Sequence, residues 1–176
     1  MANIGLENRT QHTGPTGNPD TFNSTTLYAS GQLGGVLTTT TGRYQCVQDD
    51  SGNTAANTVG VVAANQAAFW KIGQKANYIV TNDLRFSADG RNGVAGIFRT
   101  AVIAGNYCYV LQAGNSISIK ASAGVATDVM VANSGTSADF TNITAGTAPT
   151  YAPVGVAVAA NSGGNIVVDL NIPSAP

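Results

Sequence analysis

Two cysteines, one histidine and one pair of adjacent aspartates are the residues of this 176-residue chain best suited to chemistry: Cys46, Cys108, His12 and Asp49-Asp50. A serine or cysteine nucleophile needs a base within hydrogen-bond reach. The sole histidine sits in "NRTQHTGPTG", near the N-terminus. Cys-His and Ser-His-Asp mechanisms therefore have no base unless that segment folds back onto a site, and no enzyme is expected. Two distant cysteines and one histidine give no zinc spacing, and "DDSGN" and "ADGRNG" lack the D-x-[DN]-x-[DN]-G order of a calcium loop. Neither G-x-G-x-x-G nor G-x-x-x-x-G-K-[ST] occurs, so no phosphate cradle is expected. No cofactor or metal is implied, and Asp49 and Asp50 read as turn residues.

The N-terminal "MANIGLENRTQHTGPTGNPD" lacks a basic start followed by an apolar run of signal-peptide length. No uninterrupted apolar stretch approaches the roughly 18 residues of a membrane-spanning helix. The expectation is a chain made and kept in a reducing compartment, with no membrane partner. Cys46 and Cys108 are then expected as free, packed thiols, a disulfide between them staying open if their strands are neighbours. Three N-x-S/T triplets, at Asn8, Asn23 and Asn142, are what an Asn- and Thr-rich chain produces by chance.

Charged residues form 10% of the chain, against about 25% in a typical soluble protein, while hydrophobic residues reach 43%. Eight basic and nine acidic residues give a net charge of -1. That leaves no cluster of cations for a phosphate backbone, so nucleic acid is not an expected partner. A surface of Ala, Thr, Asn, Ser and Gly suits close contact with other protein, because few charges must be desolvated when it is covered.

The elements that would carry these residues read as strands. Residues 1–30 hold Gly14-Pro15, Gly17 and Asn18-Pro19 with almost no apolar periodicity, and are expected as an extended N-terminal arm. Its few apolar residues, Phe22, Leu27 and Tyr28, are spaced to anchor on its own domain or on a neighbour, and are the candidate interface residues. Residues 31–176 are expected as one β-rich domain, with short runs punctuated by turn signals. Residues 54–68 are expected to be irregular, with a short helix possible. "FWKI" and "ANYIVTND" are expected as strands around Gly73-Gln74-Lys75.

In "NYCYVLQAGNSISIK", Tyr107, Tyr109 and Leu111 share one face and Cys108, Val110 and Gln112 the other. Ala113-Gly114-Asn115 reads as a hairpin turn, with Ile117 and Ile119 on one face of a second strand. "VGVAVAA" and "NIVVDLNI" flank "NSGG" as a further hairpin. The fold class is all-β: a compact antiparallel β-barrel or sandwich-like domain with an extended N-terminal arm and at most one short helix. Trp70, Tyr78, Tyr107, Tyr109 and Tyr151 could form a sugar-stacking platform if several were exposed together; aromatics of a β-protein are expected in its core.

The order "GRYQCVQ", "FWKIGQKANYIVTND", "NGVAGIFRTAVIAGNYCYVLQAGN", "DVMV" and "PVGVAVAANSGGNIVVDLNIP" resembles the capsid decoration, or cement, proteins of tailed bacteriophage heads. The resemblance covers residues 42–173. Each segment alone is a Gly-punctuated strand pattern, and the order carries the likeness.

What this resemblance implies is a β-rich decoration domain on the outer surface of an assembled icosahedral head, present in the virion after assembly in the host cytoplasm. It implies self-association, commonly as a homotrimer, and the major capsid protein as partner, whose neighbouring subunits it braces. The family has no catalytic residues to carry over. A receptor- or carbohydrate-binding β-module of a head fibre or tail-associated protein is the alternative expectation, on the tyrosine content.

Overall fold

The computed structural model describes residues 19–25, 33–51, 61–83, 93–122, 125–134, 138–146, 148 and 151–172, leaving the side chains of Val61, Val62 and Asn161 aside. In chain order the strands are β1 (Asn23–Ser24), β2 (Val36–Thr38), β3 (Arg43–Asp49), β4 (Val61–Val62), β5 (Ala67–Trp70), β6 (Ile79–Thr81), β7 (Val94–Phe98), β8 (Val102–Ile103), β9 (Tyr107–Lys120), β10 (Met130–Asn133), β11 (Phe140–Asn142), β12 (Pro153–Ser162) and β13 (Asn165–Asn171). The helical elements among the described residues are two single 3₁₀ turns, Pro19–Thr21 and Lys75–Asn77. The fold is all-β.

Five strands close on themselves. β9 pairs with β7, β7 with β5, β5 with β6, β6 with β3, and β3 returns to β9. Four of these contacts are antiparallel; β3 and β6 run parallel through Gln48↔Ile79 and Asp49↔Val80, so the sheet is mixed where a purely antiparallel one was expected. A cluster drawn from all five strands fills the ring: Val47, Ala68, Trp70, Val80, Ala95, Phe98, Cys108 and Val110. Polar groups inside are paired with one another. Gln112 Nε2 donates to Gln45 Oε1 at 2.7 Å and to the Ala95 carbonyl at 3.2 Å, while Gln45 Nε2 donates to the Gly34 carbonyl at 3.3 Å. These bonds tie the β2 end of the chain to β3, β9 and β7, and they satisfy groups that would otherwise be costly to bury.

The second half of β9 carries the other wing of the same eleven-stranded sheet, β9-β13-β12-β10-β11. A parallel bridge from Ala121 to Phe140, with the Ser122 N–H donating to the Phe140 carbonyl at 2.9 Å, curls its far edge back toward β9. Between this wing and the outer face of the ring lies the larger core, which includes Tyr44, Cys46, Phe69, Ile97, Tyr109, Leu111, Ile119, Phe140, Ile166, Val168 and Leu170.

β9 is therefore one 14-residue strand, where the sequence reading placed a hairpin. Ala113 and Gly114 do not reverse the chain; they stay paired with Asn171 and Leu170 of β13, and the next pair is Ile117 with Val168. Asn115 and Ser116 there oppose the single Asp169, a one-residue bulge with Ser116 at φ 54°, so the strand bends and keeps its partner. Gly114 is needed for close approach, since a Cβ there would lie 2.7 Å from the Thr41 carbonyl oxygen. The alternation itself is as read: Cys108 and Val110 face one core, Tyr109, Leu111, Ile117 and Ile119 the other.

The β12–β13 hairpin closes through Gly163 and Gly164 with φ 61° and 79°, the two left-handed residues that a two-residue turn of this twist requires. "FWKI" and "ANYIVTND" supply β5 and β6 around the 3₁₀ turn. Within 54–68, Val61–Val62 and Ala67–Ala68 lie in strands, not in a helix, while 54–60 fall outside the described residues.

Gly42 and Gly114 face each other's strands at the point where β9 passes from the ring into the other wing of the sheet. A Cβ on Gly42 would meet the Ala113 carbonyl oxygen, an atom of paired backbone that cannot swing away. Gly42→Ala is expected to lower stability by about 2–3 kcal/mol, within the range of overpacked cores. Urea denaturation would show this, with the exposed neighbour Thr40→Ala close to neutral as the control.

Candidate interaction surface

The N-terminal segment enters the fold through residues 19–25, and its apolar anchor lands on its own domain. Phe22 is 5% exposed, its ring edge-on to Tyr109 at 5.5 Å between centroids. As a candidate interface residue, Phe22 is thus committed to the core of its own chain; Leu27, Tyr28 and His12 lie outside the described residues. β1 adds a short pairing to β9, Asn23↔Cys108 and Ser24↔Tyr107. The Asn23 amide donates to the Ala101 carbonyl at 3.0 Å and accepts from Asn106 Nδ2 at 2.7 Å, so its side chain is in use as a tie. Arg99 fastens the same segment: its Nε lies 3.4 Å from Asp20 Oδ1, and its Nη1 donates to Asn65 Oδ1 at 2.8 Å and to the Ser118 carbonyl at 3.1 Å.

Cys46 and Cys108 stand on neighbouring strands yet cannot pair. The register sets Cys46 opposite Tyr109 and Val47 opposite Cys108, so the two thiols point to opposite faces, one into each core. Both are free and buried. Burial pushes the Cys46 thiol up to about 12, and the Cys108 thiol is also driven up, by burial first and then by the neighbouring charge of Asp49 and Cys46. Neither is held as the thiolate that nucleophilic chemistry needs.

The aromatics are equally withdrawn. Trp70 is 3% exposed with Tyr78 edge-on at 6.3 Å, and Tyr44 and Tyr109 are buried. Tyr78 itself, at φ 54°, lays its ring over Gly34, which has no room for a Cβ. Tyr107 and Tyr151 are half-buried.

Asp49 and Asp50 differ from the expected pair of turn residues. Asp49 is the last residue of β3 and wholly buried, because the alternation that turns Gln45 and Val47 inward turns Asp49 inward too. Asp50, just past the strand, is mostly covered and paired with the Lys71 ammonium. Among the described residues no group of three or more His, Cys, Asp or Glu is placed to hold a metal ion.

The feature that the sequence reading missed lies outside both cores. Met130 of β10 stands directly opposite Val156 of β12, and Val156 opposite Asp169 of β13. Met130 is 50% exposed and Val156 and Val158 are each 42% exposed, with Ala160 exposed beyond them. Asp169, the carboxylate bordering this stripe, accepts the Ser116 N–H at 2.9 Å. A run of exposed i, i+2 apolar residues is a surface suited to being covered. At the other end of the sheet order, β2 pairs, among the described residues, with β3 and carries an exposed Val36. The signal for the stripe was present as "VGVAVAA": alternation with apolar residues on both faces, in a strand that has only one face buried.

Comparison with protein-family models, with curated proteins and with solved structures returns no match.

Thiol labelling is the direct check on the cysteines. In the native protein neither Cys46 nor Cys108 is expected to react with a thiol reagent over minutes, and both should react at once in denaturant. Cys108→Ala, which removes a packed sulfur from the ring, is expected to cost about 1–2 kcal/mol. A native preparation short of two titratable thiols after denaturation would show that the cysteines are paired.

Proposed function

We propose that this chain is a virion structural protein that binds the outer surface of an assembled bacteriophage head and stabilises contacts between major capsid subunits. The observation that carries the proposal is the uncharged stripe of Met130, Val156 and Val158, set on a rigid all-β scaffold by a chain with few charges to desolvate. The order of strand segments over residues 42–173, which resembles the decoration proteins, supports the same reading. The alternative, a carbohydrate-binding module, would need Trp70 or two tyrosines exposed as a flat patch. Trp70, Tyr44 and Tyr109 are instead core residues.

The mechanism is additive. A stripe a few residues wide is smaller than the roughly 800 Å² per partner of a stable pairwise interface. A self-associated decoration protein that touches several capsid subunits gains by multivalency, so contacts weak one at a time hold together. Because such contacts exist only on the assembled shell, binding stabilises the shell over its free subunits by linkage. Neutral contacts also make the attachment insensitive to salt, since no long-range charge attraction is being screened.

Co-sedimentation with purified expanded heads tests this. The wild-type chain is expected to pellet with heads and to raise the temperature at which they release DNA. The pair Met130→Asp, Val156→Asp is expected to weaken binding by about tenfold or more, equivalent to about 1.4 kcal/mol, while keeping the unfolding midpoint of the free protein. Absence of pelleting, or heads no more resistant to heat and chelators with the protein than without it, would overturn the proposal.

A further inference from the structure

One end of the five-stranded ring holds two buried oxygens that lack a hydrogen-bond donor. Asp49 Oδ1 accepts from the Ser51 N–H at 3.2 Å and from the Ser51 hydroxyl, whereas Asp49 Oδ2 has no partner among the described residues. The Ser51 hydroxyl oxygen accepts from the Asn82 N–H at 2.9 Å, and Asn82 Oδ1 is the second buried oxygen without a partner. The Asp49 backbone is fixed as well, its N–H donating to the Asn106 carbonyl at 2.9 Å and its carbonyl accepting from Gly105 at 2.7 Å. Three pieces of chain therefore meet at this carboxyl: the end of β3, the end of β6 and the turn between β8 and β9.

Two buried acceptors at the same strand ends, each on a residue tied to Ser51, call for a donor. Among the described residues the charged and titratable groups around Asp49 are few. Cys108 faces it from β9, Asp50 follows it just past β3 and engages Lys71 at the end of β5, and Asp83 and Tyr78 flank β6. The one ammonium among them is already committed. A metal ion would ask for several anionic ligands, and the described residues bring no such group together. A proton needs only the carboxyl itself.

We propose that Asp49 is a proton-operated latch: as the neutral acid it donates from Oδ2 and joins the ends of β3 and β6, and as the carboxylate it leaves a buried charge short of a partner and lets that junction loosen.

Burial is the leading reason that the Asp49 carboxyl is lifted from 3.8 to about 6; the hydrogen bonds from Ser51 oppose the lift and the charge of Asp50 adds to it. The sign follows. A carboxyl whose folded value is raised binds its proton more tightly in the folded state, so its contribution is complete below the unfolded value near 4 and is lost as pH rises through about 6. The effect runs opposite to that of a surface-paired aspartate.

The test uses the full chain and compares wild type with Asp49→Asn. Between pH 8 and pH 5 the wild-type folding equilibrium is expected to gain about tenfold relative to the variant, which has no proton to bind at this position. Amide exchange at Ser51 and Asn82, corrected for intrinsic rates, should accelerate between pH 5 and pH 7.5 in wild type alone. Should Asp49→Asn fail to fold, carbon NMR titration of the wild-type Asp49 carboxyl decides, with a midpoint above 5 supporting the latch. A midpoint below 4.5, an unchanged pH dependence in Asp49→Asn, or a rise in wild-type melting temperature on adding calcium at pH 7.5 would each overturn it, the last by making a cation the missing partner.

Discussion

The fold depends on β9 being a wall that two cores share. From Cys108 to Gln112 five consecutive residues are buried on both faces, so each must be chosen for a different neighbour: Cys108 and Val110 for the ring, Tyr109 and Leu111 for the larger core. Only a strand with partners on both edges can be buried on both faces, because its backbone groups then need no water. β3 supplies one edge, and β1, β7 and β13 take turns along the other. The bulge after Gly114 follows from the same demand. The strand must pass from the ring into the other wing of the sheet without breaking its hydrogen-bond ladder, and one extra residue bends it enough to do so.

A shared wall makes the weakest closure decisive for the rest. β6 is three residues long and meets β3 through only two residue pairs, in parallel. Side chains reinforce that seam from both sides: Trp70 and Tyr78 pack edge to face, Asp50 and Lys71 pair near its end, and Ser51 links Asp49 to Asn82. Buried polar groups usually oppose stability unless matched. Here the amides are matched along the line Gly34, Gln45, Gln112, Ala95, while Asp49 Oδ2 and Asn82 Oδ1 leave the seam short of donors. Local opening would therefore begin at the seam, leaving the double-sided β9 for last.

Much of this was legible as period-two alternation. The faces of "RYQCVQ", "YCYVLQ" and "SISIK" and the Gly-Gly hairpin could be read because each depends on near neighbours in the chain. The joining of the ring to the other wing could not, because glycine carries two meanings. Gly163 and Gly164 are glycines for their φ, and signal a turn; Gly114 and Gly42 are glycines for want of space, and signal contact with a strand remote in sequence. A local reading assigns both kinds to turns, and so β9 reads as a hairpin. Asp49 was misread for a related reason: beside Asp50, Ser51 and Gly52 it looks like turn chemistry, while the alternation from Gln45 through Val47 already points it inward.

The exposed stripe follows from the same geometry. β12 lines the larger core through Val154 and Ala157, and Val156 and Val158, two apart on the same strand, both emerge on the open side. A strand that served only its own fold would be expected to carry polar residues outward. Valine at both positions, with Met130 across the ladder, is instead what a covered sheet carries. A chain that places amides and an aspartate inside and valines outside has distributed polarity by where contact occurs, not by distance from its centre. The interior answers to the strands that meet there, and the neutral exterior answers to what it leaves uncovered: an apolar stripe on the open face of the sheet that few charges interrupt.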